Sequence, residues 1–134
     1  MIILGFDYGT KNIGVAVGQR ITKTAQSLKN ISIKNNRPNW IEIENLLKEW
    51  NPKKIIVGLP LNINGSKQEI TKKVENFAKI IYKKYNITVL LHDERFTTKE
   101  AKSILFQQGG FKALNKKIHS ISAVLILESW LNIK

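Results

Sequence analysis

Short apolar runs recur along this chain, and the spacing between them restricts its fold more than any other feature. Residues 1–7 form an apolar run that ends in a carboxylate, and residues 12–18 alternate as a half-buried strand does. Only the four residues 8–11 separate these runs, which predicts a tight antiparallel hairpin. Residues 28–33 are apolar at three positions and are expected to add a third strand.

A helix and then a buried strand are expected next. Asn39 is a candidate N-cap for a helix that runs to Trp50 with an apolar stripe, and Asn51-Pro52 ends it. Residues 55–57, Ile-Ile-Val, are all β-branched, which is typical of a central parallel strand buried on both faces.

A second helix and strand repeat this arrangement. Ser66 is expected to cap a long helix that ends at Asn86, and residues 88–91 form another buried strand that closes on His92-Asp93-Glu94. The remaining predicted elements are a helix capped by Thr97 or Thr98 and a last helix over residues 118–131.

The connections between these elements predict how the strands pair. Strands joined by short turns are antiparallel, whereas strands separated by a helix are parallel. The sequence therefore predicts an α/β fold with a mixed five-stranded sheet, three antiparallel strands followed by two parallel ones, and helices on both faces. A chain of 134 residues is long enough for one core, so residues 1–134 are expected to form a single domain.

Composition excludes several classes of protein. No apolar run approaches the roughly 18 residues that span a bilayer, so no membrane association is expected. The first residues lack the basic region and small-residue cleavage site of a signal peptide. The chain has no cysteine, which excludes disulfides, a thiolate metal site and a cysteine nucleophile. Together these features predict a cytoplasmic protein.

The net charge of +12 favours a polyanionic partner such as nucleic acid. A second reading stays open, because Lys, Ile and Asn together supply 52 of the 134 residues and only three residues are Arg. An AT-rich genome favours this composition without any selection for binding. The scarcity of arginine also argues against bidentate recognition of phosphates or bases.

The only two aspartates of the chain, Asp7 and Asp93, both stand at the carboxyl end of a predicted buried strand. Ligands of open α/β sheets bind at that edge. Glu94 follows Asp93 directly, and neighbouring residues of a strand point to opposite faces, so only one of the two can face the site fully. Carboxylates together with phosphate oxygens suit Mg²⁺ and a phosphodiester substrate. Alternatively, these acids simply mark solvated strand ends.

The turn after Asp7 offers further polar groups. Gly9 permits a turn with positive φ, and Thr10 and Lys11 can offer a hydroxyl and an ammonium group to a phosphate. A strand that ends in Asp-x-Gly-Thr also opens the actin-like ATPases, although 134 residues supply only half of that two-lobed fold. The segment is not a Walker phosphate-binding loop, because the Gly-x-x-x-x-Gly-Lys-Ser/Thr pattern is absent.

Four motifs in register resemble the YqgF/RuvX family over essentially the whole chain. They are residues 7–14 (Asp-Tyr-Gly-Thr-Lys-Asn-Ile-Gly), 57–60 (Val-Gly-Leu-Pro), 93–98 (Asp-Glu-Arg-Phe-Thr-Thr) and 120–129 (Ser-Ile-Ser-Ala-Val-Leu-Ile-Leu-Glu-Ser). The resemblance implies an RNase H-like domain related to Holliday-junction resolvases. It also implies a metal-dependent nuclease that matures the 5′ end of pre-16S ribosomal RNA during ribosome biogenesis.

The resemblance also assigns the candidate site residues. It implies that Asp7 and Glu94, rather than Asp93, are catalytic and bind Mg²⁺ or Mn²⁺. The third acidic residue of the family, just before the last helix, is replaced here by His119. Neutral imidazole still ligates transition metals and is softer than carboxylate, which favours Mn²⁺ over Mg²⁺. Alternatively, this replacement leaves an impaired RNA- or ribosome-binding module.

A basic loop over residues 107–117 lies just before His119 in the sequence. With Lys11, Thr10 and Arg95, this loop is expected to follow a nucleic-acid backbone; its lysines are Lys112, Lys116 and Lys117. A merely solvated loop is the alternative. Expected partners are pre-rRNA or branched DNA and a ribosomal particle, and the protein is expected to be a monomer or a weak homodimer.

Overall fold

The computed structural model describes residues 1–96 and 121–133. The strands are β1 (Ile2–Tyr8), β2 (Asn12–Gln19), β3 (Thr24–Lys34), β4 (Arg37–Pro38), β5 (Lys54–Leu59) and β6 (Thr88–Asp93). The helices are α1 (Trp40–Trp50), α2 (Glu69–Tyr85) and α3 (residues 121–133), and a single 3-10 turn covers Glu94–Phe96. The predicted helix after Thr97 or Thr98 lies outside the described residues.

The strands form one mixed sheet in the order β4-β3-β2-β1-β5-β6. Strands β1 to β4 pair antiparallel in sequence order, and the parallel pairs are β1 with β5 and β5 with β6. The predicted mixed α/β sheet is thus confirmed, but it has six strands rather than five. The added strand β4 returns along β3 through Asn35 and Asn36, whose φ angles of 53° and 61° suit a two-residue hairpin turn.

Residues at the ends of α1 and α2 explain where these two helices begin and end. Asn39 caps α1 as predicted, since its side chain accepts a hydrogen bond from the Glu42 N–H. Asn51 and Asn86 close α1 and α2 in the left-handed conformation, at φ 44° and 54°. The predicted cap Ser66 is wrong, because α2 begins after Gln68.

The core lies on both faces of the sheet, as predicted. Alternate residues of β1 divide between the two faces, with Leu4, Phe6 and Tyr8 in the cluster under α1 and α2 and Ile3 in the cluster under α3. Asp7 is four residues after Ile3 on this strand, and since side chains alternate between the two faces, Asp7 lies on the same face as Ile3 and α3. Within the described residues, no helix is long and apolar enough to cross a membrane.

Candidate active site

Two carboxyl groups meet at the carboxyl end of the parallel strands. Asp7 is the penultimate residue of β1, and Glu94 follows the last residue of β6. Both side chains are buried, with Asp7 7% and Glu94 8% exposed, and their carboxyl groups share a hydrogen bond. Burial of two acids in contact is unfavourable unless a proton or a cation compensates the charge, so their pairing points to a function.

Gly58 allows Glu94 to reach Asp7. Strand β5 lies between β1 and β6, so β1 and β6 are about 10 Å apart and the Glu94 side chain must cross over β5 to reach Asp7. A methyl group at Gly58 would lie 2.7 Å from Cγ and 2.8 Å from Cδ of Glu94, which is too close for any real contact. The absence of a side chain at Gly58 therefore leaves the room in which Glu94 lies.

The contact between the two acids changes the protonation of Glu94. Burial and, next, the charge of Asp7 and its hydrogen bond raise the pKa of Glu94 from 4.5 to about 9, and the charge of Asp93 adds to the increase. In the absence of a cation, Glu94 therefore holds a proton at neutral pH. This arrangement resembles other pairs of carboxyl groups that share a proton because both cannot ionise at close range.

Asp93 is directed elsewhere. Its carboxylate forms an ion pair with Arg95, with 2.7 Å between Oδ2 and Nη2, and it also accepts a hydrogen bond from the Arg95 backbone N–H. The hydrogen bond from the Arg95 side chain lowers the pKa of Asp93 below its ordinary value. The structure thus brings Glu94, and not Asp93, into contact with Asp7.

The predicted nucleic-acid contacts lie at different places. Thr10 and Lys11 are exposed in the turn between β1 and β2, at the same end of the sheet as Asp7. Arg95 is engaged with Asp93, and its Nη1 also donates to the Ile63 carbonyl at 3.2 Å. Arg95 therefore ties the loop between β5 and α2 to the end of β6. Lys112, Lys116 and Lys117 lie outside the described residues.

His119 also lies outside the described residues, which resume at the start of α3. Within residues 1–96 and 121–133, no group of three or more acidic or histidine side chains is placed to hold a metal ion. Glu128, on α3, instead accepts a hydrogen bond from the Ala25 backbone N–H at the start of β3. His92 packs against α3, where its Nε2 lies 2.9 Å from the Ser129 hydroxyl.

The pair of acids fits a hard divalent cation. Mg²⁺ and Mn²⁺ prefer oxygen ligands, and one or two carboxylates are a common protein contribution when a substrate phosphate and water supply the others. Displacement of the shared proton by such a cation would leave two carboxylates whose two negative charges the divalent ion balances. The room that Gly58 leaves beside Glu94 keeps the carboxyl group of Glu94 within reach of Asp7.

A shallow recess of about 260 Å³ opens beside Glu94. It is lined by Pro60, Leu61, Ile63, Gln68, Glu94 and Arg95. Most of this lining comes from the loop between β5 and α2. The recess therefore connects the acidic pair to the loop that Arg95 anchors.

Sequence reasoning missed Gly58 as a site residue. The glycine interrupts the β-branched run of a central strand, where it weakens the strand and marks a close approach by another group. That signal was readable in the Val57-Gly58-Leu59-Pro60 motif. Which group approaches depends on β6, which pairs Gly58 with His92 and so brings Glu94 beside it.

Proteins of known name match almost the entire chain. A protein of Buchnera aphidicola subsp. Schizaphis graminum named "Putative pre-16S rRNA nuclease" is 59% identical over 133 residues, which cover 98% of this chain and 97% of that protein. A protein of Salmonella arizonae with the same name is 56% identical over 129 residues, which cover 96% of this chain and 94% of that protein.

Solved structures share the fold at low sequence identity. Thermus thermophilus RuvC in complex with a Holliday junction substrate has a TM-score of 0.63 at 16% identity, covering 99% of this chain and 94% of that chain. The fowlpox virus resolvase bound to Holliday junction DNA has a TM-score of 0.63 at 17% identity, covering 99% and 98%. These resolvases confirm the predicted RNase H-like architecture.

A match to a family model assigns the chain to one protein family, which the shared fold alone does not do. The model of RuvX, described as a Holliday junction resolvase, matches residues 1–133. The match therefore includes both acids of the pair as well as the segment that contains His119. This chain belongs to the RuvX family.

Proposed function

We propose that this protein is a metal-dependent nuclease that hydrolyses phosphodiester bonds, with the 5′ end of pre-16S rRNA as its substrate. The observation that carries the proposal is the buried contact between Asp7 and Glu94 at the carboxyl edge of the sheet. The curated relatives, which are named for pre-16S rRNA, support an RNA substrate. In this proposal the protein acts in the cytoplasm, on pre-16S rRNA within a ribosomal particle.

Asp7 and Glu94 are the proposed ligands of the cation. When bound, the cation supplies Lewis-acid stabilisation of the charge that develops on the phosphoryl oxygens. Asp7 is held rigidly by β1, which has hydrogen-bonded strands on both sides, and Glu94 is held over Gly58. Positioning of this kind matters because small displacements of a catalytic ligand cost large factors in rate.

Basic and polar groups around the acids are the proposed contacts to the phosphate backbone. Thr10 and Lys11 lie three and four residues after Asp7, and both are exposed. Arg95 contributes indirectly, because its guanidinium is already shared between Asp93 and the Ile63 carbonyl. We assign Lys112, Lys116 and Lys117 to the same surface from their position just before His119 in the sequence.

His119 is proposed as a third ligand or as a general base. It directly precedes Ser120 and α3, the helix that packs on the same face of the sheet as Asp7. A neutral imidazole leaves the set of three with two negative charges rather than three. Because imidazole is softer than carboxylate, the replacement also favours Mn²⁺ over Mg²⁺. The protonated imidazole would repel a cation, so activity requires neutral His119.

Two other functions are each favoured by one observation. The replacement of the family's third acid by His119 favours an impaired module that binds RNA without cleaving it. The description of the RuvX family as Holliday junction resolvases favours branched DNA as the substrate. The proposed experiment separates both from RNA cleavage.

The deciding experiment measures binding and cleavage of a labelled pre-16S rRNA fragment, and of a four-way DNA junction, with Mn²⁺, with Mg²⁺ and with EDTA. The parent is compared with Asp7→Asn, and with Glu49→Gln as a control, because Glu49 is exposed on α1 away from the acids. Metal-dependent cleavage by the parent and the control, lost in Asp7→Asn, supports the proposal. Binding without cleavage by any of the three supports the impaired module. Cleavage of a four-way DNA junction alone supports the resolvase.

A further inference from the structure

A single apolar side chain projects from the loop beside the acids. Ile63 is 97% exposed, although it belongs to the loop that lines the recess next to Glu94. Its neighbours Asn62, Asn64 and Ser66 are polar and exposed, so the isoleucine stands alone. Single exposed apolar residues are common on protein surfaces. Ile63 differs from most of them because it lies beside the proposed active site and because hydrogen bonds hold its loop in one conformation.

The loop that carries Ile63 is held in one shape by its own hydrogen bonds. The Asn62 N–H donates to the Ser66 carbonyl at 2.9 Å, and the Gly65 N–H donates to the Asn62 carbonyl at 2.8 Å. Ser66 donates from both its backbone N–H and its hydroxyl to the Asn64 side chain. Leu61 and Lys67 close the loop with an antiparallel bridge. Little conformational entropy is therefore left to lose when the loop contacts a ligand.

The loop is also tied to the proposed active site. The Ile63 carbonyl accepts a hydrogen bond from Arg95, which also contacts Asp93 at the end of β6. Arg95 is the residue after Glu94, and Ile63 and Glu94 line the same recess. The Arg95 guanidinium thus links the Ile63 backbone to the segment that carries Glu94.

We propose that Ile63 is an apolar wedge that inserts against the bases of the nucleic-acid strand next to the scissile phosphate. The inference rests on the proposed nuclease function. Proteins that bind the minor groove of DNA insert apolar residues, isoleucine included, between base steps and partly unstack them, and an apolar contact of the same kind with unstacked bases is proposed here. A protein partner fits less well, because stable protein interfaces bury about 1,000 Å² or more and the surroundings of Ile63 are polar. The net charge of +12 also favours nucleic acid.

The test measures binding to RNA stem-loops in which 2-aminopurine replaces one base at a time in the single-stranded part. Fluorescence of this base rises when it is unstacked, so it reports both affinity and wedge position. Binding is measured in EDTA for the parent, Ile63→Ser and Ile63→Met. We expect Ile63→Ser to weaken binding about three- to tenfold and to lose the fluorescence change at one site, because partial burial of one apolar side chain contributes on that scale. Ile63→Met should keep both.

Ile21→Ser is the matched control. Ile21 is 89% exposed in the turn between β2 and β3, and this turn lies at the end of the sheet opposite Asp7. The control should bind like the parent. Equal binding and fluorescence for Ile63→Ser and Ile21→Ser would overturn the wedge. Since these readouts need no cleavage, failure of the nuclease proposal would appear separately, as an RNA that is bound with an opened base but never cut.

Discussion

We expect the free energy of unfolding of the metal-free protein to decrease as pH rises because of Glu94, and we expect Glu94→Gln to remove this pH dependence. The pKa of Glu94 is raised to about 9 by burial and by Asp7, whereas the unfolded chain has the ordinary value of 4.5. Between these two values the folded protein binds a proton that the unfolded chain does not. Stability is therefore fully present below the unfolded pKa and is lost as pH rises toward the folded one.

The size of the effect follows from the width of that window. One pKa unit corresponds to about 1.4 kcal/mol, so a rise from about pH 5 to about pH 8 costs the parent at most about 4 kcal/mol. Because the Glu94 side chain is only 8% exposed, solvent screens little of this cost. Glutamine has the same shape, does not titrate, and can donate an amide hydrogen to Asp7. We expect Glu94→Gln to gain about 2–4 kcal/mol relative to the parent over this range.

Urea unfolding followed by tryptophan fluorescence measures the difference directly. Unfolding free energies of the parent, Glu94→Gln and the exposed control Glu49→Gln are compared at several pH values in EDTA. The control should follow the parent at each pH. Addition of Mn²⁺ at about pH 8 should reverse the order, since a ligand that binds only the folded parent stabilises it by mass action. A constant difference between Glu94→Gln and the parent at all pH values would refute the reasoning.

Three further outcomes test the site and its surroundings. Gly58→Ala should keep the helix and strand content seen by circular dichroism but lower the free energy of urea unfolding by about 1–3 kcal/mol, because the new methyl group would lie 2.5 Å from Ile126 and 2.7 Å from Glu94. The Mn²⁺ affinity of this variant should fall as well. An unchanged affinity in metal titrations would show that Glu94 does not need this space. The parent should cleave faster with Mn²⁺ than with Mg²⁺, and its cleavage rate should decrease at pH values below about 6.5, where His119 becomes protonated. His119→Asp should shift the metal preference toward Mg²⁺. Equal rates at about pH 5.5 and about pH 8, or strict Mg²⁺ dependence, would exclude His119 as a ligand. RNA affinity should fall steeply with salt in filter-binding or anisotropy assays, because each neutralised phosphate releases a counterion, and a flat response would exclude backbone contacts.

Features that depend on neighbouring residues could be predicted from the sequence. The cap of α1 at Asn39 and its end at Asn51 need only a few residues of context, and the structure has both. The buried run of β5 was visible from its β-branched residues, and β1 from its apolar run up to Asp7. Strand polarity also followed, because a hairpin connection and a helical connection each allow only one direction.

Features decided by contacts between distant residues could not be predicted. Strand β4 has two residues, too few to show any periodicity, and its turn uses Asn-Asn rather than a pair with glycine. Gln68 replaces Ser66 at the start of α2 because its N–H donates to the Thr71 hydroxyl, which in turn donates to the Pro60 carbonyl at the start of the preceding loop. Nothing in the local sequence around Ser66 reveals that contact.

The choice between Asp93 and Glu94 shows where local reasoning ends. Alternation along β6 requires the two side chains to diverge but leaves open which one faces Asp7. The partners decide it, since Arg95 draws Asp93 toward the loop of Ile63, while Gly58 leaves room for Glu94.

A protein selected only for stability would gain by replacing the acidic pair. In the metal-free protein two acids are buried in contact and the pKa of Glu94 is raised to about 9, and a glycine weakens the central strand beside the pair. Local features that oppose stability are expected at functional sites rather than elsewhere in a fold. The cost is also reversible, because a bound cation removes the repulsion that raises the pKa of Glu94. The same two acids that destabilise the metal-free fold would therefore stabilise the metal-bound one, which is the behaviour expected of a metal site.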